Sequence, residues 1–435
     1  MDKFFFKQVD NSSLIVFRII FGGLCFLESI GAILTGWVNK TLVEPDFTFN
    51  FIGFNWLQPL PEAWMYCYYI IMGFLGVFVM IGYKYRWSML SFAILWSGVY
   101  FMQKSSYNNH YYLLMIFSFL MVLMPANTYA SLDVKLNPKI KSISMPNWCC
   151  WVIILQLLIV YSYASIAKLY PDWLNASAVK ILMQGKAHFP VVGEILQASW
   201  LHYFIAYSGI LFDGFIIPLM LFKTTRKFAF LASIFFHLFN ACVFQIGIFP
   251  FLSLAYSVFF FDAKIIRNLF LKKKELYTNN EIIIPNSNKY LKYSLVIYLT
   301  IQIILPMRHH FIKDNVLWTE EGHRLSWRMM LRTKSGQINF RVVDTITNQL
   351  IPIDIDHMIT EKQKRNLAIK PDFIWQFSQY LKERFEAEGK SISVYVTCYI
   401  SVNGKPHKQL IDPSIDIANV KWNYFGHNNW ILPSK

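Results

Sequence analysis

Two short polar stretches interrupt long apolar ones in this chain, and each carries a side chain able to move a proton. The first is Tyr107-Asn108-Asn109-His110-Tyr111-Tyr112, where an apolar segment begins. The second is Ala167-Lys168-Leu169-Tyr170-Pro171-Asp172-Trp173, where another ends. Polar and ionisable groups at membrane depth cost roughly 2.5–3.5 kcal/mol on insertion scales, so they tend to mark sites. Lys168 has a plain reading, a snorkelling side chain with its stem in lipid and its amine among headgroups. Its chemical reading is a partly buried amine that serves as a base, since desolvation disfavours the ammonium. His110 likewise reads as part of a helix cap beside Asn108 and Asn109, or as an imidazole in a cavity, aimed at a developing oxyanion.

Further polar groups fall inside apolar runs. His237 and Asn240 are three residues apart, on adjacent faces of one helix, and Gln245 follows near its end. They serve either an interhelical hydrogen-bond network or a cavity. Arg18, Glu28 and Asp213 are intramembrane charges. Arg18 and Glu28, ten residues apart, miss a common helix face, so each needs another partner, and Asp213 is a candidate. Trp318, Trp327, Met329 and Met330 form an aromatic and thioether group after the last apolar segment. It suits an interfacial belt with a strand core as well as a ligand wall. His309-His310 reads as a juxtamembrane pair. With no His-x-x-x-His or Cys-x-x-Cys spacing, no metal site is expected.

The elements that must position these groups follow from composition. The chain has 435 residues, 55% hydrophobic, 18% aromatic and 15% charged, which is a membrane composition. Its net charge of +15 would suggest nucleic acid in a soluble protein. Here the basic residues sit in short loops between apolar runs, so no nucleic-acid partner is expected. Nine apolar segments stand out: 14–36, 64–82, 87–102, 110–125, 149–167, 200–222, 228–247, 249–261 and 290–307. The seventh and eighth form a close pair broken near Pro250. Lengths near 20 residues suit a spanning helix. Lys135, Lys139, Lys141 and the run Lys272-Lys273-Lys274 fall in one set of loops, while the other set is poor in Lys and Arg. That asymmetry predicts an inside N-terminus and, after nine crossings, an outside C-terminus. The fold expected is an α-helical polytopic membrane bundle of about nine helices, residues 1–309. A smaller extracytoplasmic α+β, mostly β, domain follows over residues 310–435.

Within that second part, Leu325–Thr333 and Gln337–Val343 flank Lys334-Ser335-Gly336 and read as a hairpin. Pro371–Glu388 carries a helical apolar stripe of Phe373, Ile374, Phe377, Leu381 and Phe385. Ser391–Val402 alternates and meets Asn403-Gly404, a hairpin turn.

The ordered set of motifs resembles the vitamin K-dependent γ-glutamyl carboxylase family, over roughly Pro59 to Trp430. The motifs are Pro59-Leu60-Pro61 with Trp64-Met65-Tyr66, Asn108-Asn109-His110 with Tyr112-Leu113, and Lys168-Leu169 with Asp172-Trp173. Phe236-His237 with Asn240, Phe244-x-Ile246-Gly247, and Ser326-Trp327 with Met329-Met330 continue the series. Ser401-Val402-Asn403 and Gln409-Leu410-Ile411-Asp412-Pro413 with Asp416-Ile417 close it. The resemblance implies an HTTM-like membrane part and an enzyme that oxygenates reduced vitamin K, phylloquinol or menaquinol, to the epoxide. A strongly basic intermediate then removes a γ-proton from a glutamate-containing peptide, and the carbanion takes CO2. A γ-C–H is too weak an acid for any side-chain base, so the cofactor must generate the base while the protein orients and desolvates. The implied partners are O2, CO2, a lipid-soluble quinone, a glutamyl peptide or protein, and the membrane, with no metal. The resemblance assigns Lys168 to hydroquinone deprotonation and His110 to carboxylation. It sets Asn109, His237, Asn240, Trp327, Met329 and Met330 around the quinone or glutamate.

Vertebrate members carry a disulfide between their two parts, whereas Cys398, in a strand pattern, has no outside cysteine to meet. Two alternatives remain: a hydroquinone epoxidase or other quinone-binding membrane protein without carboxylation, and a non-catalytic HTTM protein that binds a partner. The expected location is a bacterial inner membrane.

Overall fold

The computed structural model describes residues 2–190, 192–244, 246–279, 281–286 and 288–434. Each of the nine apolar segments is helical: α1 Ser12–Leu34, α2 Glu62–Ile81, α3 Tyr85–Met102, α4 Asn109–Leu123, α5 Trp148–Ile166, α6 Ser199–Leu221, α7 Arg226–Phe244, α8 Phe249–Tyr256 and α9 Asn288–Met307. Among the described residues, six of them (α1, α2, α5, α6, α7 and α9) are long and apolar enough to cross a membrane. Nine such helices were expected. The 15 residues of α4 and the 8 of α8 fall short of a bilayer core of roughly 30 Å. In α3, Arg86, three serines and Gly98 dilute the apolar run.

The bundle closes around Phe17, Phe21, Phe117, Met121 and Tyr256. Helices α1 and α2 touch backbone to backbone. A Cβ on Gly22 would lie 2.4 Å from the Met80 nitrogen, and one on Gly76 2.6 Å from the Phe26 nitrogen, so only glycine permits the approach. Arg18 is fully buried, yet its partner is not the expected Asp213. Its guanidinium donates to the carbonyls of Ala126 at 2.9 Å, Tyr129 at 3.2 Å and Ala130 at 2.6 Å, the chain that leaves α4. Carbonyls beyond a helix end lack backbone partners, which is what lets them hold this cation without a counterion. Glu28 accepts from the Tyr111 hydroxyl at 2.6 Å.

The C-terminal part has its own core. Strand β1 (Lys334–Asp344) pairs antiparallel with β2 (Leu350–Ile351) and with β3 (Ile392–Val402), which pairs with β4 (Lys408–Gln409). The β1–β3 register runs from Lys334 opposite Val402 to Asp344 opposite Ile392. Alternate residues Val394, Val396, Cys398 and Ile400 face inward against helix α10 (Pro371–Ala387), whose Phe373, Ile374, Phe377 and Leu381 are fully buried. The expected stripe and alternation therefore meet. Asn403 and Gly404 have φ of 54° and 72°, the left-handed pair that a tight hairpin turn needs. Cys398 is a buried free thiol.

The expected hairpin at Lys334-Ser335-Gly336 does not form. Those residues begin β1, and 325–333 is an irregular loop. Leu325, Trp327 and Met330 have φ of 59°, 56° and 51°, which no strand accommodates. The alternating apolar pattern is satisfied by dipping into the bundle, where Trp327 is fully buried and stacks on Tyr112 at 4.9 Å. Trp318 packs instead in the sheet core, so the expected Trp–Met cluster is split.

A buried charge cluster joins the two parts. Asp372 receives Lys104 at 2.6 Å and a bidentate Arg324 at 2.8 and 3.2 Å. Burial alone would raise this carboxyl, but Arg324 and Lys104 outweigh it and hold it well below the usual carboxylate range. Asp372→Asn leaves two buried cations uncompensated and should cost about 3–5 kcal/mol of stability, read by thermal unfolding in detergent. The sign follows from the depressed folded value. The stabilisation is complete above the unfolded carboxyl value of about 3.9 and is lost as pH falls toward the folded value, so the gap between wild type and variant should narrow on acidification.

Candidate functional site

The two polar stretches singled out in the sequence both grip the 325–332 loop. From the first, the Tyr107 hydroxyl accepts from the Leu325 amide at 2.8 Å and donates to Asn109 Oδ1 at 2.8 Å, while Asn109 Nδ2 donates to the Arg328 carbonyl at 3.0 Å. From the second, the Tyr170 hydroxyl donates to the Leu331 carbonyl, and Asp172 accepts from Asn403 at 3.0 Å and pairs with Lys405 at 2.7 Å. The loop is thereby wedged into one end of the bundle, and a chamber opens on each side of it.

The first chamber, about 690 Å3, lies between α6, α7 and the end of α5. Its walls are almost wholly apolar. Phe204, Leu211 and Phe215 line it and are also exposed on the outside of the bundle, so it opens sideways where lipid would lie. Its polar groups are few: Lys168, Asp213, Tyr161, Ser208, His237, Asn240 and His110. Lys168 does not snorkel. It is 7% exposed, and its Nζ donates to Asp213 Oδ2 at 2.5 Å and to the Ala164 carbonyl at 3.1 Å. Local sequence explains the arrangement. Ala164 lies in the last turn of α5, whose free carbonyls favour a cation. Gly209 lies one turn before Asp213, and a Cβ there would reach within 3.8 Å of Lys168 Cε. His237 is buried. Its Nε2 meets the Tyr161 hydroxyl at 3.2 Å, and its Nδ1 has no partner among the described residues. Asn240, which lines the chamber, donates to its own helix at Phe236, 2.8 Å away.

The second chamber, about 810 Å3, lies between α4 and the C-terminal part, and it is cationic. Arg324, Arg328, Arg332 and Lys370 line it, against Glu320 and Glu28. Glu320 is held well below the usual carboxylate range because Arg332 and Lys334 outweigh its burial, and it pairs with both. Arg324 is taken by Asp372. Arg328 and Lys370 have no carboxylate within ion-pair distance among the described residues. Arg328 meets His309 Nε2 at 3.3 Å, and its Nε is unpartnered. Burial and then Arg332 draw this guanidinium down to about 10. Burial, with Arg324 next, draws the Lys370 amine down to about 7, and its Nζ donates to Asn366 at 2.6 Å. Two basic groups without a carboxylate partner on one cavity suit an anionic ligand.

The chambers share a partition. His110, Ile246, Met329 and Met330 line both. The cap of α4 is Asn108, whose side chain accepts from the Tyr111 amide at 2.7 Å, so the imidazole of His110 is not spent on capping. It stacks on Phe249 at 3.7 Å. The structure thus gathers Lys168, His110, His237, Asn240, Met329 and Met330 around the first chamber. Asn109 lines only the second, with its amide engaged in bracing the loop, and Trp327 lines neither. Gln245 lies outside the described residues. Sequence reasoning missed Tyr161 and misassigned Asp213. It also missed the arginines, although their spacing of four at 324, 328 and 332, directly after the last helix, was a usable signal.

Comparison with protein families gives two matches. A family described as HTTM domain matches residues 6–264, and one described as vitamin K-dependent gamma-carboxylase, lumenal domain, matches residues 287–435. No solved structure matches the chain.

Proposed function

The chain belongs to the vitamin K-dependent gamma-carboxylase family, and from that premise we propose that it couples reduced vitamin K epoxidation to glutamate γ-carboxylation at the two chambers. The family implies an enzyme of the membrane that uses reduced vitamin K and glutamate-containing substrates. The observation that carries the finer reading is the shared partition of His110, Met329 and Met330 between an apolar and a cationic chamber.

The first chamber suits a quinol. Its volume is within the usual range for a small-molecule site, its walls are apolar, and it offers polar atoms only at separated points, including the orphaned His237 Nδ1. Reduced vitamin K, when bound, supplies through its reaction with oxygen a base stronger than any side chain. Lys168 takes up a ligand proton at Nζ. His237 and Asn240 hold the ligand's polar end, and the apolar walls exclude water. In the second chamber, Arg328 and Lys370 hold the substrate carboxylate, and His110, on the partition, donates to the charge that develops there. Asn109 and Trp327 position the loop that carries Met329 and Met330.

In this reading residues 1–309 form the membrane part and 310–435 the outer part, on the side faced by the loops poor in Lys and Arg. A C-terminal phosphatase fusion should be active outside the cytoplasm, and activity confined to the cytoplasm would reverse the orientation.

Purified protein, reduced vitamin K, a glutamyl peptide and labelled CO2 test the chemistry, with epoxide and fixed label measured separately. Lys168→Ala should lose both products, and small amines should partly restore them. Normal epoxidation in that variant would reduce Lys168 to an anchor.

His110→Ala should separate the two products. Removing one aimed donor typically costs roughly 10²–10³ in rate, so label fixation should fall by that factor while epoxide persists. Equal loss of both would move His110 to quinol binding.

A further inference from the structure

The Lys168–Asp213 pair raises a difficulty that the assignment of Lys168 as a base leaves open. As it stands, Nζ spends its donors on Asp213 Oδ2 at 2.5 Å and on the Ala164 carbonyl at 3.1 Å. An ammonium has three donors and no lone pair, so it cannot accept a proton until it has given one away. Water is a poor recipient here. Lys168 and Asp213 are 7% and 6% exposed, and the chamber in front of them is lined by Trp173, Phe212, Ile216 and other apolar side chains. Among the described residues the only acceptor in direct contact, besides a helix carbonyl, is the Asp213 carboxylate. Among the described residues it takes no donor other than Lys168.

We propose that Asp213 is the proton acceptor of the site, a positioning residue that acts through Lys168. The step balances. The Lys168 ammonium passes one proton to Asp213 Oδ2, which gains an O–H bond. The freed Nζ lone pair then takes the proton from a hydroxyl of the bound ligand, whose O–H bond breaks and whose oxygen keeps the electron pair. Total charge is unchanged: an ammonium and a carboxylate with a neutral ligand become an ammonium and a carboxylic acid with an anionic ligand. Apolar surroundings penalise a lone charge far more than a pair. The exchange keeps one ion pair throughout, since the ammonium loses the carboxylate as its partner and gains the ligand anion. Asp213 also lies on α6, one turn after Gly209, where the helix packs at ordinary contact distance from the Lys168 stem. The pair can therefore face the chamber together.

This inference rests on the proposed binding of reduced vitamin K in the first chamber, and its test needs no turnover. Protein in detergent is mixed with reduced vitamin K under strict exclusion of oxygen, with oxidised vitamin K, which has no hydroxyl proton, as the control. Infrared difference spectra should gain a carboxylic-acid C=O band with the reduced form only. The band should move when the protein carries 13C-carboxyl aspartate, disappear in Asp213→Asn and return, displaced, in Asp213→Glu. Epoxidation by Asp213→Asn should fall roughly 10²–10⁴-fold, the usual weight of an acid–base group. A band that persists in Asp213→Asn, or no aspartate-sensitive band in wild type that demonstrably binds reduced vitamin K, overturns the proposal. If Asp213→Asn does not fold, the absence of an aspartate-sensitive band in labelled wild type still overturns the proposal, and displacement of the band in Asp213→Glu assigns it to this residue. Failure of reduced vitamin K to bind wild type would instead sink the functional reading itself.

Discussion

Hydrogen bonds from two helix ends hold the 325–332 loop in the mouth of the bundle, and the rest of the site depends on that grip. Tyr107 and Asn109 reach it from the start of α4, and Tyr170 from just beyond α5. The loop needs such support. Leu325, Trp327 and Met330 adopt left-handed backbone with side chains that disfavour it, at a cost of order 1–3 kcal/mol each. Burial of Trp327 against Tyr112 is the main apolar compensation. What the strain achieves is placement. Met329 and Met330 come to lie between two chambers of opposite character, and Arg328 is turned toward the cationic one.

That separation has a physical logic. A buried ammonium is tolerable in the apolar chamber only beside a carboxylate, because transfer of either charge alone from water is far costlier than transfer of the pair. The cationic chamber has the opposite imbalance. Arg328 and Lys370 await an anion there, and Glu320 and Asp372 have already neutralised their neighbours. The two chambers thus offer an apolar and a cationic environment within one end of the bundle. Two thioethers, an imidazole and the Ile246 side chain are the side chains that the two chambers share.

How much of this could be read from the sequence depended on whether the determining interaction was local. Hydropathy located the nine apolar helices, because burial in lipid is a property of a segment, but not the short amphipathic helices Ser177–Gln184 and Ala263–Phe270. The α10 stripe and the Asn403-Gly404 turn were legible for the same reason. Lys168 and His110 stood out because a polar group among apolar neighbours is a local anomaly. Asp213 was visible as an anomaly too, but its partner lies 45 positions away, and nothing local distinguishes Lys168 from Arg18 as that partner. Alternation misled at Leu325–Thr333, where a loop dipping into the bundle, and not a strand, buries Trp327 and Leu331. Only the backbone dihedrals separate the two.

Asp213 also shows why charge inside a membrane protein is best read pairwise. Arg18 is just as buried as Lys168, yet it is held by three carbonyls with fixed dipoles. Such a cage cannot take a proton, so Arg18 is confined to binding the chain that follows α4. Lys168 has one carbonyl and one carboxylate, and a carboxylate can be protonated. The difference between a cation fixed by carbonyls and one beside a protonatable group therefore lies in the partner as much as in the cation. Of the two, only the lysine faces a chamber large enough to admit a ligand.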